Sequence, residues 1–181
     1  IELTIDGLVQ ADALRLESGD YTLSGGEINS FGGELTFDIA AERTLTVSSI
    51  LRRYIRVTGE GTLHYLSEEP GTNGLYIGDG ATLISEGLTR QLMEVDGTAL
   101  LSGTHEGGVN ISETGEVRGV SEINGRVEND GIAELGGSTG EIENRGTLDG
   151  DGELAASRIW NLEDAQLAVA SLAREREAGD L

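Results

Sequence analysis

Five segments of one stretch begin alike: Gly80-Ala-Thr-Leu83, Gly97-Thr-Ala-Leu100, Gly115-Glu-Val-Arg118, Gly131-Ile-Ala-Glu134 and Gly146-Thr-Leu-Asp149. Their first glycines follow one another at spacings of 17, 18, 16 and 15 residues, and a short β-type segment follows each glycine. Self-similarity at a nearly fixed period is the sequence signature of a repeat architecture. The stretch therefore predicts a solenoid of stacked β-coils.

The same pattern extends outward from this stretch to both ends of the chain. We place coil anchors at Gly19, Gly33, Arg43, Gly61, Gly80, Gly97, Gly115, Gly131, Gly146 and Glu163. Apolar or small residues recur two and four places after most anchors, as in Leu63 and Tyr65, which is typical of a strand with one buried face. A second apolar column stands four places before the anchors, at Ile39, Val57, Tyr76, Met93, Ile111, Val127, Ile142 and Ile159.

These columns predict an all-β fold, a parallel β-helix with about 15–19 residues per coil. One coil cannot bury its own apolar face, but neighbours stacked about 4.8 Å apart bury a continuous core and pair the strand edges. Residues 1–181 form a single solenoid in this interpretation, a fragment of a larger repeat protein, and ten coils would make a rod of about 50 Å.

Composition excludes several classes of protein and site. The 181 residues include 28 glycines but one proline and no cysteine, which excludes collagen, disulfides and cysteine-based zinc sites. The net charge is −21 and all 12 basic residues are arginine, so we expect no nucleic-acid partner. No apolar run is long enough for a membrane span, and we expect no membrane insertion of this segment.

Three segments fit the repeat less well. Residues 45–56 are rich in β-branched residues and predict either a longer strand or an irregular coil, so the register before Gly61 stays open. Ser67–Gly74 has the composition of a loop that bulges from the stack. Residues 162–181 form a terminal cap or a frayed tail, in which 163–177 fit either a helix or a last coil.

The C-terminal half resembles the repeats of bacterial surface β-helices, the autotransporter passengers and filamentous-haemagglutinin-like adhesins. The likeness rests on Val127-Glu-Asn-Asp-Gly-Ile-Ala-Glu-Leu135 and Ile142-Glu-Asn-Arg-Gly-Thr-Leu-Asp-Gly-Asp-Gly-Glu-Leu154. The resemblance implies a right-handed β-helix on an extracellular or cell-surface protein. It is specific for architecture and weak for function, because adhesins, proteases, tailspikes and lyases share such stems.

Acidic residues next to the anchors are the most suggestive chemical pattern. Glu60, Asp79 and Asp96 each precede an anchor, and in the predicted register they stack on successive coils about 5 Å apart. Carboxylates at that distance recruit a cation such as Ca²⁺ or supply an acid and a base for glycoside hydrolysis. The alternative is that Asp-Gly is turn chemistry with solvated side chains. Asp149-Gly-Asp-Gly-Glu153 lacks full calcium-loop spacing and predicts a plain turn.

Other polar and aromatic residues carry structural predictions. Asn129 and Asn144 stand two places before their anchors and predict a short internal asparagine ladder. His64 and His105 have no partner by spacing and are expected at the surface. Trp160, Tyr54 and Tyr65 are the aromatics that could face a sugar, although packing in the core or at its rim is the alternative.

Repetition without a catalytic cluster predicts a non-enzymatic segment, with no catalytic, cofactor-binding or metal site. We expect a structural or adhesive β-solenoid of a secreted or cell-surface bacterial protein, a stalk, adhesin or filament subunit. Its expected partners are further copies joined end to end, or a host or surface glycan. The alternatives are a polysaccharide-active β-helix, lyase, hydrolase or tailspike-like, and a module stabilised by calcium.

Overall fold

The computed structural model is a parallel β-solenoid of about nine turns and describes residues 1–67, 74–90, 92–162 and 164–173. The described chain is all β, which confirms the predicted fold class. The early strands are β1 (Glu2–Thr4), β2 (Leu8–Gln10), β3 (Ala13–Leu16), β4 (Tyr21–Ser24), β5 (Glu27–Asn29), β6 (Glu34–Ile39), β7 (Thr44–Val47), β8 (Ile50–Leu51), β9 (Tyr54–Gly59) and β10 (Thr62–Tyr65).

The later strands become longer because they turn corners without a break. They are β11 (Leu75–Ile77), β12 (Thr82–Ser85), β13 (Met93–Val95), β14 (Thr98–Leu101), β15 (Thr104–His105), β16 (Val109–Ile111), β17 (Glu116–Ile123), β18 (Val127–Asn129), β19 (Ile132–Asn144), β20 (Thr147–Asn161) and β21 (Gln166–Ala173). The strand β21 shows that a last coil, not a helix, follows Glu163. Residues 174–177 of that segment lie outside the described part of the chain.

Each coil crosses three faces in turn. The first face stacks β1, β4, β7, β10, β12 and β14 and continues through β17, β19, β20 and β21. The short second face contains β2, β5 and β8, and later β15. The third face stacks β3, β6, β9, β11, β13, β16 and β18. All of these pairings are parallel, as stacked coils require.

The core is a set of apolar columns that run along the inside of the stack. On the first face Val47 lies under Tyr65, and on the third face Ile55, Leu75 and Met93 follow one another. The alternation of buried and half-buried residues is strict in β6, β7 and β10. This confirms the predicted inward positions two and four places after Arg43 and Gly61. Leu35 and Phe37 also point inward, but they belong to the third face, so the prediction that Gly33 anchors a separate coil is wrong.

The predicted register is wrong by one residue at Gly80. Thr82 pairs with both Thr62 and Thr98, so Ala81, not Gly80, is level with Gly61 and Gly97. The inward residues of this coil are therefore Ala81, Leu83 and Ser85 instead of Thr82 and Ile84. The same shift puts Ile77 in the core and turns Tyr76 outward, against the prediction.

Corner length explains the shift. Ile77 pairs with Val95 and Thr82 pairs with Thr98, so residues 78–81 turn the same corner that Asp96 and Gly97 turn alone. Coil length varies accordingly. Asn129 and Asn144 are 15 residues apart, whereas Thr22 pairs with Thr46, a longer step than the predicted 15–19 residues. Residues 45–56 form an ordinary coil portion with β7, β8 and the start of β9, and neither a longer strand nor an irregular coil.

Candidate functional site

The acids Glu60, Asp79 and Asp96 do not form the predicted ladder. Since Thr82 pairs with Thr62, the residue level with Glu60 on the next coil is Gly80, and Asp79 stands one place earlier. Glu60 and Asp79 are exposed at the corner. No three His, Asp or Glu side chains in the described part of the chain are grouped so that they could hold a metal ion. The prediction of a stacked acid site is therefore wrong, because these acids stand at separate places on the corners of their coils.

Of the three predicted acids, Asp96 alone lines a surface cavity of about 380 Å³ on the third face, together with acids that the ladder did not include. Its walls include Tyr76, Glu94, Asp96, Glu128 and Asp130. Asn110 and Ser112 occupy the coil between the two acid pairs, because Glu94 pairs with Asn110 and Asn110 pairs with Glu128. The pairs are thus two coils apart, about 9.6 Å by the spacing of stacked strands. Spacing along the sequence did not indicate this cavity, since its residues come from four successive coils.

Two tyrosines hold the first pair of acids in place. The hydroxyl of Tyr54 donates to Oε2 of Glu94 at 2.7 Å, and the hydroxyl of Tyr76 donates to Oδ2 of Asp96 at 2.6 Å. Burial, followed by the bond to the Glu94 carboxylate, raises the pKa of Tyr54. The bond to Asp96, followed by burial, raises the pKa of Tyr76. Both phenols are therefore neutral donors across the physiological range.

Arginines shape the rest of the third face. The Arg56 guanidinium lies over the Tyr76 ring, 4.4 Å from its centroid, and its Nε donates to Oε1 of Glu34 at 3.0 Å. Trp160 lies close to Arg158 and Arg126, 5.0 and 5.9 Å from the ring centroid. Cations placed in this way are attracted to the electron-rich ring faces. Trp160 is 37% exposed and Tyr54 is half-buried, whereas Tyr65 packs in the core.

His105 is buried, so its predicted surface position is wrong. It is 1% exposed, and its Nδ1 shares a hydrogen bond of 2.7 Å with Oγ1 of Thr89 on the preceding coil. Its Nε2 has no hydrogen-bond partner among the described residues. Burial lowers the pKa of His105 to about 4. His64 is half-buried and also has a partner, since its Nε2 is 2.9 Å from Oε1 of Glu86.

The asparagine ladder is present and longer than predicted. Asn129 donates to Oδ1 of Asn144, and Asn144 donates to Oδ1 of Asn161, each at 2.7 Å. The remaining amide hydrogens bind the carbonyls of Thr147 and Gln166, each at 2.9 Å. The side chains thus satisfy backbone acceptors at the corner, which is a structural role and not a catalytic one.

Asp149–Glu153 is part of a bulged strand and not the plain turn that its composition predicts. In the pairing of β19 with β20, Glu134 is opposite Asp149 and Gly137 is opposite Leu154, so the register shifts between them. A β-bulge of this kind adds residues to one strand of a pair. Oδ1 of Asp149 accepts from the amide of Gly150 at 2.8 Å. The carboxylate therefore supports the bulge.

The N-terminal coil leaves the core open. Its inward residues lie in core columns, since Leu3 pairs with Leu23, Val9 with Ile28 and Leu14 with Phe37. Leu3 is nevertheless 47% exposed and Val9 is 41% exposed. A cavity of about 450 Å³ opens here, and six of its lining residues are Leu3, Leu14, Leu16, Tyr21, Leu23 and Leu45. This end therefore presents apolar side chains beside unpaired strand edges.

At the other end, Leu167 pairs with the buried Leu148 and so continues its column, as predicted. Its side chain is nevertheless 44% exposed and is not buried in the core. Residues 68–73 of the predicted bulging loop lie outside the described part of the chain.

The described residues contain no helix with the length and apolar character of a membrane span. No family model, curated protein or solved structure matches this chain.

Proposed function

We propose that this chain is a non-enzymatic structural segment of a secreted or cell-surface bacterial protein, and that its first coil joins the end of another solenoid. The apolar core that runs without interruption through the stacked coils is the observation that carries the proposal. Within residues 1–181, β1, β2 and β3 each pair with a following strand only. Exposed parallel edges of this kind pair readily with another chain.

The partner that fits this end is the last coil of a second copy. All described pairings are parallel, so a head-to-tail contact continues the three faces without reversing a strand. Leu3 and Val9 would continue the core columns into the next copy, where Leu167 is also incompletely covered. A contact between two different ends does not close on itself, and repetition of it produces a filament.

Sedimentation over a range of protein concentrations, with electron microscopy of the samples, tests the proposal. We expect linear multimers for the parent protein and monomers for Leu3→Glu and Val9→Glu, because a buried unpaired carboxylate is costly. Val120→Glu is the matched control, since Val120 is 63% exposed on the side of the stack. A parent that stays monomeric, or Leu3→Glu multimers equal to those of the parent, would refute the end contact.

A polysaccharide-active protein is the second candidate, and the third-face cavity favours it. The cavity combines Tyr76 with the carboxylates of Glu94, Asp96, Glu128 and Asp130. Incubation with acidic and neutral polysaccharides, with assays for new reducing and unsaturated ends, distinguishes the two functions. New ends that disappear in Glu94→Gln or Glu128→Gln would make the cavity an active site. Uncleaved polysaccharide would leave the structural function.

A further inference from the structure

The outer surface of the first face carries a column of threonines. Thr62 pairs with Thr44 on one side and Thr82 on the other, and Thr82 pairs with Thr98. These four side chains lie on successive coils and are half-buried, beside buried inward neighbours such as Leu63 and Leu83. Their hydroxyls therefore repeat at about 4.8 Å along the stack.

The column beside the threonines is also without carboxylates and guanidiniums. It contains Thr46, His64, Ile84 and Leu100, each of which follows a threonine of the first column by two residues on the same strand. Thr22 continues it beyond Thr46. Glu86 borders this surface and is held by His64 at 2.9 Å. The four positions of each column on these four coils, without Thr22, form what we call the threonine face: Thr44, Thr62, Thr82, Thr98, Thr46, His64, Ile84 and Leu100.

The lack of charge on the threonine face contrasts with the rest of the molecule. The chain has 33 acidic and 12 basic residues, and the third face carries Arg56, Glu94, Glu128 and Glu143 in one column of successive outward positions, interrupted by Tyr76 and Asn110. None of the eight positions is itself a carboxylate, although Asp20 accepts from the amide of Thr44 and Glu86 pairs with His64 at the border. On a protein of net charge −21, such a face suits a partner that is itself uncharged.

Threonine gives this face a specific chemistry. Its hydroxyl both donates and accepts hydrogen bonds, and its branched side chain restricts χ1. A rigid sheet therefore holds hydroxyl and methyl groups about 4.8 Å apart along the stack in the first column. The second column adds the hydroxyl of Thr46 and the apolar side chains of Ile84 and Leu100. Such groups match a neutral lattice in which each oxygen also donates and accepts. Carboxylates and guanidiniums would instead impose their own strongly oriented water.

From this arrangement we propose that the threonine face binds ice. A neutral crystalline polysaccharide fits less well, because sugar rings pack on aromatic rings, and the partly exposed Tyr54, Tyr76 and Trp160 belong to the third face. None of the eight positions of the threonine face lines the cavity at the N-terminal coil or the cavity on the third face. This function goes beyond end-to-end assembly, since it uses a side of the stack and needs no second copy.

Thermal hysteresis and the shape of ice crystals in purified protein test the proposal. We expect the parent to lower the freezing point below the melting point and to shape the crystals. Thr82→Lys places a charge in the middle of the face and should abolish both effects. Thr147→Lys is the matched control and should retain them, because Thr147 belongs to the same column but stands beyond Glu116 and Ile132. Melting curves check that both variants fold.

Three results would overturn ice binding. They are a parent protein without hysteresis, equal losses in Thr82→Lys and Thr147→Lys, and pelleting of the parent with cellulose or chitin in place of any effect on ice. Leu3→Glu separates this proposal from the end contact. It should remain active on ice as a monomer if the threonine face acts alone, and loss of activity in the folded monomer would contradict that independence.

Discussion

Nδ2 of Asn129 donates to Oδ1 of Asn144 on the adjacent coil at 2.7 Å, and both side chains are completely buried. The same bond repeats from Asn144 to Asn161. Each amide also donates to a backbone carbonyl on the next coil, that of Thr147 or Gln166. Because unpaired polar groups are costly inside a protein, this ladder fixes the register of the last coils.

Replacement of Asn144 by alanine should destabilise the protein strongly. The change leaves an amide hydrogen of the buried Asn129 without its acceptor, at about 1–3 kcal/mol, and removes the bond to the carbonyl of the more exposed Gln166. Asn110→Ala is the control, because Asn110 is half-buried on the outer third face. Urea unfolding measures the difference. Equal losses in the two variants would show that the ladder contributes no special stability.

Extension of the ladder by Ile111→Asn should be tolerated better than an asparagine elsewhere in the core. Ile111 pairs with Asn129, whose Oδ1 has no hydrogen-bond partner among the described residues. A new amide at 111 would donate to that oxygen in the direction that the ladder already uses. Val95→Asn is the control, since Val95 pairs with Ile111 and offers no such acceptor. We expect a higher urea midpoint for Ile111→Asn than for Val95→Asn, and the reverse order would contradict this explanation.

His105 should make the protein less stable in acid. Its folded pKa is about 4 and the usual pKa is 6.5, because burial disfavours the charged ring. The unfolded chain therefore binds the proton first, and the free energy of unfolding falls as pH drops from about 6.5 to about 4. The full effect is about 3 kcal/mol at 1.36 kcal/mol for each pH unit.

Urea unfolding of His105→Gln at several pH values isolates this effect from the many carboxylates. The difference in unfolding free energy between parent and variant should change with pH between 6.5 and 4 and stay constant above that window. His64→Gln serves as the control, because His64 is half-buried. A difference that does not change with pH would mean that His105 protonates equally in both states.

Gly131→Ala should destabilise the stack through a backbone clash. Gly131 turns a two-residue corner, and a Cβ there would overlap the carbonyl oxygens of Ser112 and Gly115. Overpacking of this kind costs about 1–3 kcal/mol. Gly32→Ala is the control, since the nearest atom to its Cβ would be Oδ1 of Asp12 at 3.8 Å. Melting temperatures should fall for Gly131→Ala alone, and an unchanged value would contradict the close approach.

Prediction from the sequence succeeded where each coil repeats the same inward position. Leu45, Leu63 and Ala99 follow their anchors by two residues, lie in one column of the first face and are buried. Asn129 and Asn144 were recognisable because both stand two places before a glycine of a two-residue corner. Prediction failed at Gly80, because a four-residue corner puts Ala81 in the place of the anchor glycine. The handedness of the helix stays a prediction from resemblance.

The sites depended on the tertiary structure to a greater extent. Glu94, Asn110 and Glu128 lie on separate coils, and only strand pairing brings them to one cavity. His105 looked isolated because Thr89 is 16 residues away in the sequence. The threonine face was equally hidden, since Thr62, Thr82 and Thr98 follow corners of different lengths.

The sequence by itself determined the solenoid, because alternating apolar residues and corner glycines leave stacking as the way to bury the core. The tertiary structure decided which side chains meet. Hydrogen-bonded strands must stay in register, whereas corners absorb inserted residues, so Ile77 still pairs with Val95 although residues 78–81 outnumber Asp96 and Gly97. This difference separates Glu60 from Asp79, buries His105 against Thr89 and aligns the threonines on one face.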